Sequence, residues 1–445
     1  MAAKAIIVGA GHNGLICGAY LARAGVETLL LERRPVVGGA CITEEIHPGF
    51  HVSTTSYVCG LIRPEIIAEL QLGKFGFVQR AYDPQYFVPF HDKKTLYMWV
   101  DEHKTIKELE KFSKHDAKTY AEFEKFWLEF FDIVEPAILV PPPPLADLAG
   151  LFQGTEAEEI LKKVIFASVK DFLEEYFESE YVKAVFAPLG TGGTFAGPSS
   201  PGTAYVLGHH LLGNVDGVKG LWSYAIGGMG AITQAMRRCA EAAGAKVKTG
   251  TDVKRIIVES GVARGVELTD GTKLHADLVV SNADPKATFL KLVEPDHLEP
   301  SFRKKIGLLH TDACSFKVNL ALDGVPEYTA APGKGLQPLH RAAMDICPFM
   351  DELEREFHRA KNGEMTDVPF MDCFMQSAND PSVAPEGKHT FSIVSSYFPF
   401  KLARGDWPSR MKEAEDRILG ALAEHAPNIR KLILASRCYS PWDFQ

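Results

Sequence analysis

Residues 4–32 read KAIIVGAGHNGLICGAYLARAGVETLLLE, and no other stretch constrains the fold as tightly. An apolar run, Ala5 to Val8, enters a turn carrying Gly9, Gly11 and Gly14. A helical pattern follows through Leu21, and a second apolar run, Leu29 to Leu31, ends on Glu32. Strand, glycine turn, helix, strand and acid is the order of a dinucleotide-binding βαβ unit. Gly9 lets the chain turn sharply, Gly11 lets a pyrophosphate approach the backbone, and Gly14 lets the helix pack on the strand. The intervening Ala10, His12 and Asn13 present backbone N–H groups at a helix N-terminus, which carries roughly half a positive charge. Glu32 stands at the distance from which an acid accepts hydrogen bonds from a ribose hydroxyl pair. An ordinary βαβ turn leaves three glycines and Glu32 unexplained.

The residues after Glu32 choose the dinucleotide. Arg33, Arg34, Pro35, Val36 and Val37 lead to Gly38, Gly39 and Ala40. A second glycine pair soon after the ribose acid gives another close backbone approach to the same ligand. This continuation, acid then basic residue then glycine pair, resembles that of FAD-binding Rossmann proteins, and the resemblance implies FAD. Arg33 and Arg34 also suit an NADP phosphate, an alternative ranked second because Glu32 would repel that phosphate.

Further segments extend the pattern: ERRPVVGGACITEEIHPGF (32–50), SYVCGLIRPEI (56–66), PGTAYVLGHHLLG (201–213), GGMGAITQAM (227–236) and RGVELTDGTKLHADLVVSNADP (264–285). With the first turn, they resemble the phytoene-desaturase-like (carotenoid/retinoid oxidoreductase) FAD flavoprotein family over nearly the whole chain. The resemblance is nearest to the branch named for a pyridine nucleotide-disulfide oxidoreductase domain. It implies an α/β fold with a glutathione-reductase-like, Rossmann-type FAD domain from residues 1–80 and 221–300. A discontinuous α+β substrate domain takes 81–100 and 301–445, and a helical lid takes 101–220. The backbone of Val253 would meet the adenine end of FAD, and Asn282 would join the cofactor site. His209 and His210 fall in a matching segment and are the candidate catalytic side chains; a hydrogen-bonded structural role is the simpler account of both. Tyr224 and Arg63 are weaker candidates. Members of the family continue past Gln445 with a strand and a glycine turn lying along the flavin ring, and nothing after Asn282 resembles that element. Phosphate and adenine contacts are therefore expected here, and ring positioning and activity are left open.

The disulfide chemistry in the branch name finds no support in the residues. A flavin disulfide reductase needs two cysteines close enough to exchange electrons. The eight cysteines (17, 41, 59, 239, 314, 347, 373, 438) are scattered, without a CxxC or CxxxxC. They read as small buried residues of a reducing compartment. No His, Cys, Asp or Glu cluster has metal-ligand spacing.

A second glycine turn, Gly228-Met229-Gly230, opens a helical pattern within Ile226–Met236 and leads to a short strand, Ala245 to Lys248. It lacks the third glycine, and Lys246 and Lys248 stand where a ribose acid belongs, so it is not an independent NAD domain. Ile256 to Leu268 and Lys273 to Leu274 read as a β-meander turning at Asp270-Gly271, and Leu278 to Ser281 as a buried strand. Phe316, Val318, Leu320 and Leu322 alternate with polar or small residues, which predicts a half-buried strand. Phe391 to Tyr397 is a second strand candidate.

The net charge is −9, without a basic block, which argues against a nucleic-acid partner. Between Asp101 and Val185 there are 19 acids against 10 Lys and Arg, so this segment carries the whole imbalance. Its aromatic stripe, Phe112 to Val134, has helical spacing, best explained by packing. Pro141 to Pro144 ends that helix, and Ile160 to Phe177 reads as one more. No apolar run reaches eighteen residues, so no membrane span is expected, and three residues before the first strand leave no room for a transit peptide. A cytoplasmic location follows; the mitochondrial matrix is the alternative by family resemblance. The functional expectation is an FAD-dependent dehydrogenase or desaturase acting on a small apolar molecule, possibly isoprenoid or lipid-like. Two other readings stand beside it: a non-catalytic regulatory or binding protein on the same fold, and an amine-oxidase-like activity. Oligomeric state, substrate and electron acceptor are open.

Overall fold

The computed structural model describes residues 4–444. The chain forms two compact units. The first comprises residues up to Glu45, His51–Arg80 and Tyr224–Thr311. The second comprises Ile46–Phe50, Ala81–Ser223 and the chain from Asp312 onward, so the acidic helical segment and the strands on either side of it in sequence belong to one unit.

In the first unit, β1 (Lys4–Val8) leads to α1 (His12–Arg23) and β2 (Glu27–Leu31). The chain re-enters the unit with α2 (Met229–Ala242) and β3 (Lys246–Lys248). It continues through β4 (Val253–Glu259), β5 (Val262–Leu268), β6 (Lys273–His275) and β7 (Leu278–Ser281). The parallel sheet runs β3-β2-β1-β7, with Ile7 opposite Leu30 on one side and Val280 on the other. Ile6, Ile7 and Leu30 are buried because helices and the meander cover both faces, as a parallel sheet requires. On one face Leu15 and Ala19 of α1 join Ile232, Ala235 and Met236 of α2 in a single apolar cluster. On the other, Val8 and Leu31 pack with Val253, Ile256 and Val266 of the antiparallel meander β4-β5-β6. The helix and strand after the second glycine turn therefore complete the first sheet and found no sheet of their own.

The second unit is built on a seven-stranded mixed sheet. Its order is Ile433–Tyr439, Phe316–Leu322, His389–Ser395, Met371–Phe374, Ala343–Met344, Tyr86–Pro89 and Thr95–Met98. Phe316, Val318, Leu320, Phe391, Ile393 and Phe87 point to one face, where helix Trp407–His425 adds Ile418 and Leu422 to their cluster. Val88, Leu96 and Met98 point to the other face and join the helical segment's aromatic residues, among them Phe123, Trp127 and Phe172. The aromatic stripe is thus core, as its periodicity indicated.

Three expectations are corrected. The strand Leu278–Ser281 is not buried: Leu278 is exposed and the other three residues are half-buried, because it is an edge strand of its sheet. The strand Phe316–Leu322 is not half-buried: all seven residues are buried, Lys317 and Asn319 included, because the strand lies inside the seven-stranded sheet and its polar side chains pack among those of its neighbours, Ser392 Oγ donating to Asn319 Oδ1 at 2.8 Å. The stretch Ile160–Phe177 is two helices, Glu156–Phe166 and Val169–Tyr176. Ser168 breaks the run by leaving helical backbone geometry and capping the second helix, its hydroxyl accepting from Asp171 N at 3.0 Å. Among the described residues, no helix is long and apolar enough to cross a membrane.

Candidate functional site

The first unit gathers the residues of the glycine turn into one cradle at the carboxyl end of the parallel sheet. Gly9 adopts φ +92°, a turn only glycine makes without strain. A Cβ on Gly14 would stand 2.4 Å from the Gly9 carbonyl oxygen, so the crossing of helix and strand excludes any side chain there. Gly38 N donates to Ala10 O at 2.9 Å, and Gly11 pairs with Gly38 as an isolated parallel bridge. The second glycine pair is therefore laid directly beside the first turn: a Cβ on Gly39 would lie 3.3 Å from Gly11 Cα. Asn282 N donates to Val8 O at 2.8 Å, and the Asn282 amide sits where a Cβ on Gly11 would come within 2.8 Å.

Glu32 is buried, and its two carboxylate oxygens accept from Ala10 N at 2.9 Å and Arg34 N at 3.0 Å. Each oxygen keeps acceptor capacity for a hydroxyl. Its backbone is tied at both ends, N to Lys248 O and O to Thr251 N, each at 2.8 Å, which brings the approach to Val253 alongside the acid. Arg33 and Asn13 are exposed, Ala40 O accepts from Ser56, and burial lowers the pKa of the half-buried His12 imidazole.

The two glycine turns of this unit end differently. α1 starts at Gly11 with no side-chain cap and no acid in its first turn. Among the described residues, no group outside the helix takes the N–H of His12, Asn13 or Gly14. At α2 the corresponding donors are spent: Met229 N donates to Ser53 Oγ at 3.0 Å and Gly230 N to Thr43 Oγ1 at 2.9 Å. The three-glycine turn fits a pyrophosphate, with open donors, a bare backbone and the Glu32 carboxylate beside it. The second turn does not. Thr43 and Ser53 are functional residues that sequence reasoning missed, since nothing local links them to a helix more than 170 residues later.

The candidate catalytic residues are not part of the cradle. His209 and His210 lie on helix Thr203–Leu211 of the second unit. His210 Nδ1 is 3.0 Å from Val206 O one turn back, its carbonyl accepts from Trp222 Nε1, and burial lowers its pKa. His209 is exposed. Tyr224 is buried in the first unit, and Arg63 pairs with Glu65 at 3.2 Å. The cysteines are all free; Cys41 Sγ faces Ser56 Oγ and Cys59 Sγ faces Gln79 Oε1, and burial raises the Cys41 pKa away from a reactive thiolate.

A second polar constellation, also unforeseen, crosses the large sheet of the second unit. Strand register sets Lys317 and Asp372 on either side of Val394, with Asp345 on the strand edge next to Asp372. Burial, and next the Asp372 carboxylate, raise Asp345 well above the usual carboxylate range. Burial lowers the Lys317 ammonium to about 7. Among the described residues no His, Cys, Asp and Glu side chains group to hold a metal ion.

Comparison with known proteins agrees with this geometry. The family model for flavin containing amine oxidoreductase matches residues 14–430. Pyridine nucleotide-disulfide oxidoreductase domain-containing protein 2 of Mus musculus is 34% identical, over 99% of this chain and 82% of its own length. A lycopene-forming phytoene desaturase of Pantoea ananas is 24% identical over 99% of this chain and 85% of its own. The solved structure of an oxidoreductase from Methanosarcina mazei superposes with a TM-score of 0.63 at 18% identity, covering 99% of this chain and 89% of that one. The chain belongs to the flavin containing amine oxidoreductase family and is an FAD-dependent oxidoreductase related to the phytoene desaturases.

Proposed function

We propose that the chain is a dehydrogenase or desaturase of apolar, isoprenoid- or lipid-like molecules, holding FAD in the glycine cradle of its first unit. The observation that carries this reading is the uncapped N-terminus of α1 set between Glu32 and the Gly38-Gly39 pair. In this assignment the N–H groups of the Gly9–Gly14 turn bind the pyrophosphate, and the Glu32 carboxylate accepts from the ribose hydroxyls. The backbone at Gly38, Gly39 and Ala40 approaches the same ligand, with Arg33 at the edge, Val253 toward the adenine, and Asn282 closing the turn. FAD, when bound, supplies a two-electron acceptor for the hydride of a substrate C–H bond. The protein's share is to bind, orient and exclude water. Its unpaired cysteines suit a reducing compartment, and they offer no relay for disulfide exchange.

The similarity to a lycopene-forming desaturase supports the apolar substrate. A second reading, oxidation of an amine or alcohol, is favoured by the row of buried Lys317, half-buried Asp372 and buried Asp345. Both reactions release a proton along with the hydride; from an amine or alcohol that proton leaves nitrogen or oxygen, which an ionisable neighbour can orient and accept from. The test is anaerobic bleaching of the flavin absorbance by phytoene and, separately, by a primary amine. Bleaching by the polyene alone establishes the first reading, and bleaching by the amine alone the second. Protein that stays colourless in excess FAD overturns both and leaves a non-catalytic binding role on this fold.

A further inference from the structure

His12 brings more than a backbone N–H to the α1 cradle. It is the first residue of α1, between Gly11 and Gly14 of the turn, and its ring is half-buried. The Gly38 backbone is the ring's hydrogen-bond partner. Gly38 itself is bridged to Gly11 and donates to Ala10 O at 2.9 Å. The imidazole therefore lies in the seam between the two glycine segments that embrace the cofactor in our assignment.

The ring is set to be neutral there. Its Nδ1 is buried and has no hydrogen-bond partner among the described residues. A proton on that atom would add a buried charge without an acceptor, which is costly. Burial lowers the His12 pKa, and the Gly38 backbone opposes the shift without cancelling it. Among the described residues, no charged side chain is one of the influences on the ring. Of the groups around the seam, Glu32 accepts from Ala10 N and Arg34 N, Arg33 is exposed, and burial keeps the Cys41 thiol protonated. Thr233 and Asn282, which approach Gly38 and Gly11 from α2 and from the end of β7, are uncharged.

A pyrophosphate diester changes that balance, because it stays anionic throughout the pH range in which histidine titrates. An anion held by the N–H of His12 is a close neighbour of the ring on the same residue. A nearby opposite charge favours the protonated form of an imidazole. The other donors of the turn are backbone groups of fixed partial charge. In the run Gly9-Ala10-Gly11-His12-Asn13-Gly14, only His12 has a side chain whose charge can follow the ligand.

We propose that the His12 side chain is an anion-responsive part of the cradle, taking up a proton as the FAD pyrophosphate seats against α1. This rests on the placement of FAD in the cradle. Proton uptake fixes the direction of the pH dependence. FAD affinity rises as pH falls through the ring's titration in the complex, and levels off below its titration in the ligand-free protein.

Calorimetry of FAD binding to the full chain tests this at about pH 6.5 in PIPES and in bis-tris, buffers whose heats of ionisation differ. The binding heats should differ between the buffers by an amount that reports uptake of about half a proton. ADP-ribose, which carries the same pyrophosphate without the flavin, should show the same difference. His12→Gln keeps a hydrogen-bonding side chain that cannot take a proton, and should abolish it. In the unsubstituted chain FAD affinity should fall about tenfold from about pH 5.5 to about pH 8, and in His12→Gln it should be flat. Uptake with FAD but not with ADP-ribose overturns the proposal, since the proton would belong to the flavin end. Uptake that persists in His12→Gln overturns it too, by assigning the proton to another group, and His12→Asn gives the same reading should glutamine not be accommodated. FAD bound without proton uptake overturns the proposal and leaves the cradle as the FAD site, whereas no binding of FAD or ADP-ribose overturns both.

Discussion

Two glycine turns in the first unit open two helices, and among the described residues only one of them leaves its first-turn donors open. Gly9 to Gly14 and Gly227 to Gly230 both use positive φ angles to swing a strand into a helix. At α1 the first-turn N–H groups are open and the acid at the next strand end faces the turn. At α2 the hydroxyls of Thr43 and Ser53 occupy the same donors, and a Cβ on Gly228 would stand 2.3 Å from Thr43 Oγ1. Glycine spacing alone therefore says only that a backbone can be approached. What approaches it is settled by whichever group reaches the free donors first, in our proposal the cofactor in one case, and the chain's own side chains in the other.

The comparison breaks most sharply under a one-carbon addition. In Gly14→Ala the new Cβ meets backbone, the Gly9 carbonyl oxygen, at 2.4 Å. Gly230→Ala meets Thr43 N at 2.6 Å. Both should lose about 2–3 kcal/mol of stability in urea denaturation, the usual cost of overpacking. Only Gly14→Ala should also abolish FAD binding by the folded protein; an equal loss of FAD in Gly230→Ala would make the second turn part of the site. Glu32→Ala comes next. It removes the acceptor of two backbone N–H groups and, in the proposed site, of the ribose hydroxyls together. A fall in FAD affinity of roughly 100-fold, about 3 kcal/mol, is expected in a fluorescence-quenching titration, and Glu32→Gln should recover part of it.

How far the sequence revealed each region follows from the same contrast. The α1 cradle is encoded within a few dozen consecutive residues, so strand, turn, helix and acid could be read directly. The plug at α2 could not, because Thr43 and Ser53 come from a hairpin far upstream and have no periodicity that points at Gly230. The large sheet of the second unit was misread for a related reason. Alternation along Phe316–Leu322 marks one polar face, and a polar face usually meets water. Here that face is buried as well, with Asn319 paired to Ser392 of the neighbouring strand, a long-range pairing that the strand's own alternation does not reveal. His209 and His210 show the limit from the other side: a hydrogen-bonded role is the simpler account of both from sequence, and the structure gives His210 a partner in its own helix while leaving His209 exposed.

Removing the plug sharpens the comparison at smaller cost. Thr43→Ala with Ser53→Ala frees two donors at α2 and should destabilise by about 1 kcal/mol for each cap lost. ADP should still bind with one molecule per chain, because the strand after α2 ends in Lys246 and Lys248 and brings no acid to the ribose. A second ADP in equilibrium dialysis would show that the hydroxyls alone close the turn.

The smallest effect separates packing from ligand approach inside the α1 cradle. Gly11→Ala drives its Cβ to 2.8 Å from Asn282 Nδ2, the end of a side chain and not backbone. Truncating that side chain should therefore relieve the clash. Gly11→Ala and Asn282→Ala, each destabilising alone, should together be more stable than their sum by about 1 kcal/mol, as expected for residues in contact. The rescue should not extend to the cofactor, because the methyl group still stands on the backbone face that the pyrophosphate needs. If FAD affinity returned with stability in the double variant, Gly11 would serve only to make room for Asn282, and the ligand would have to approach α1 from another side.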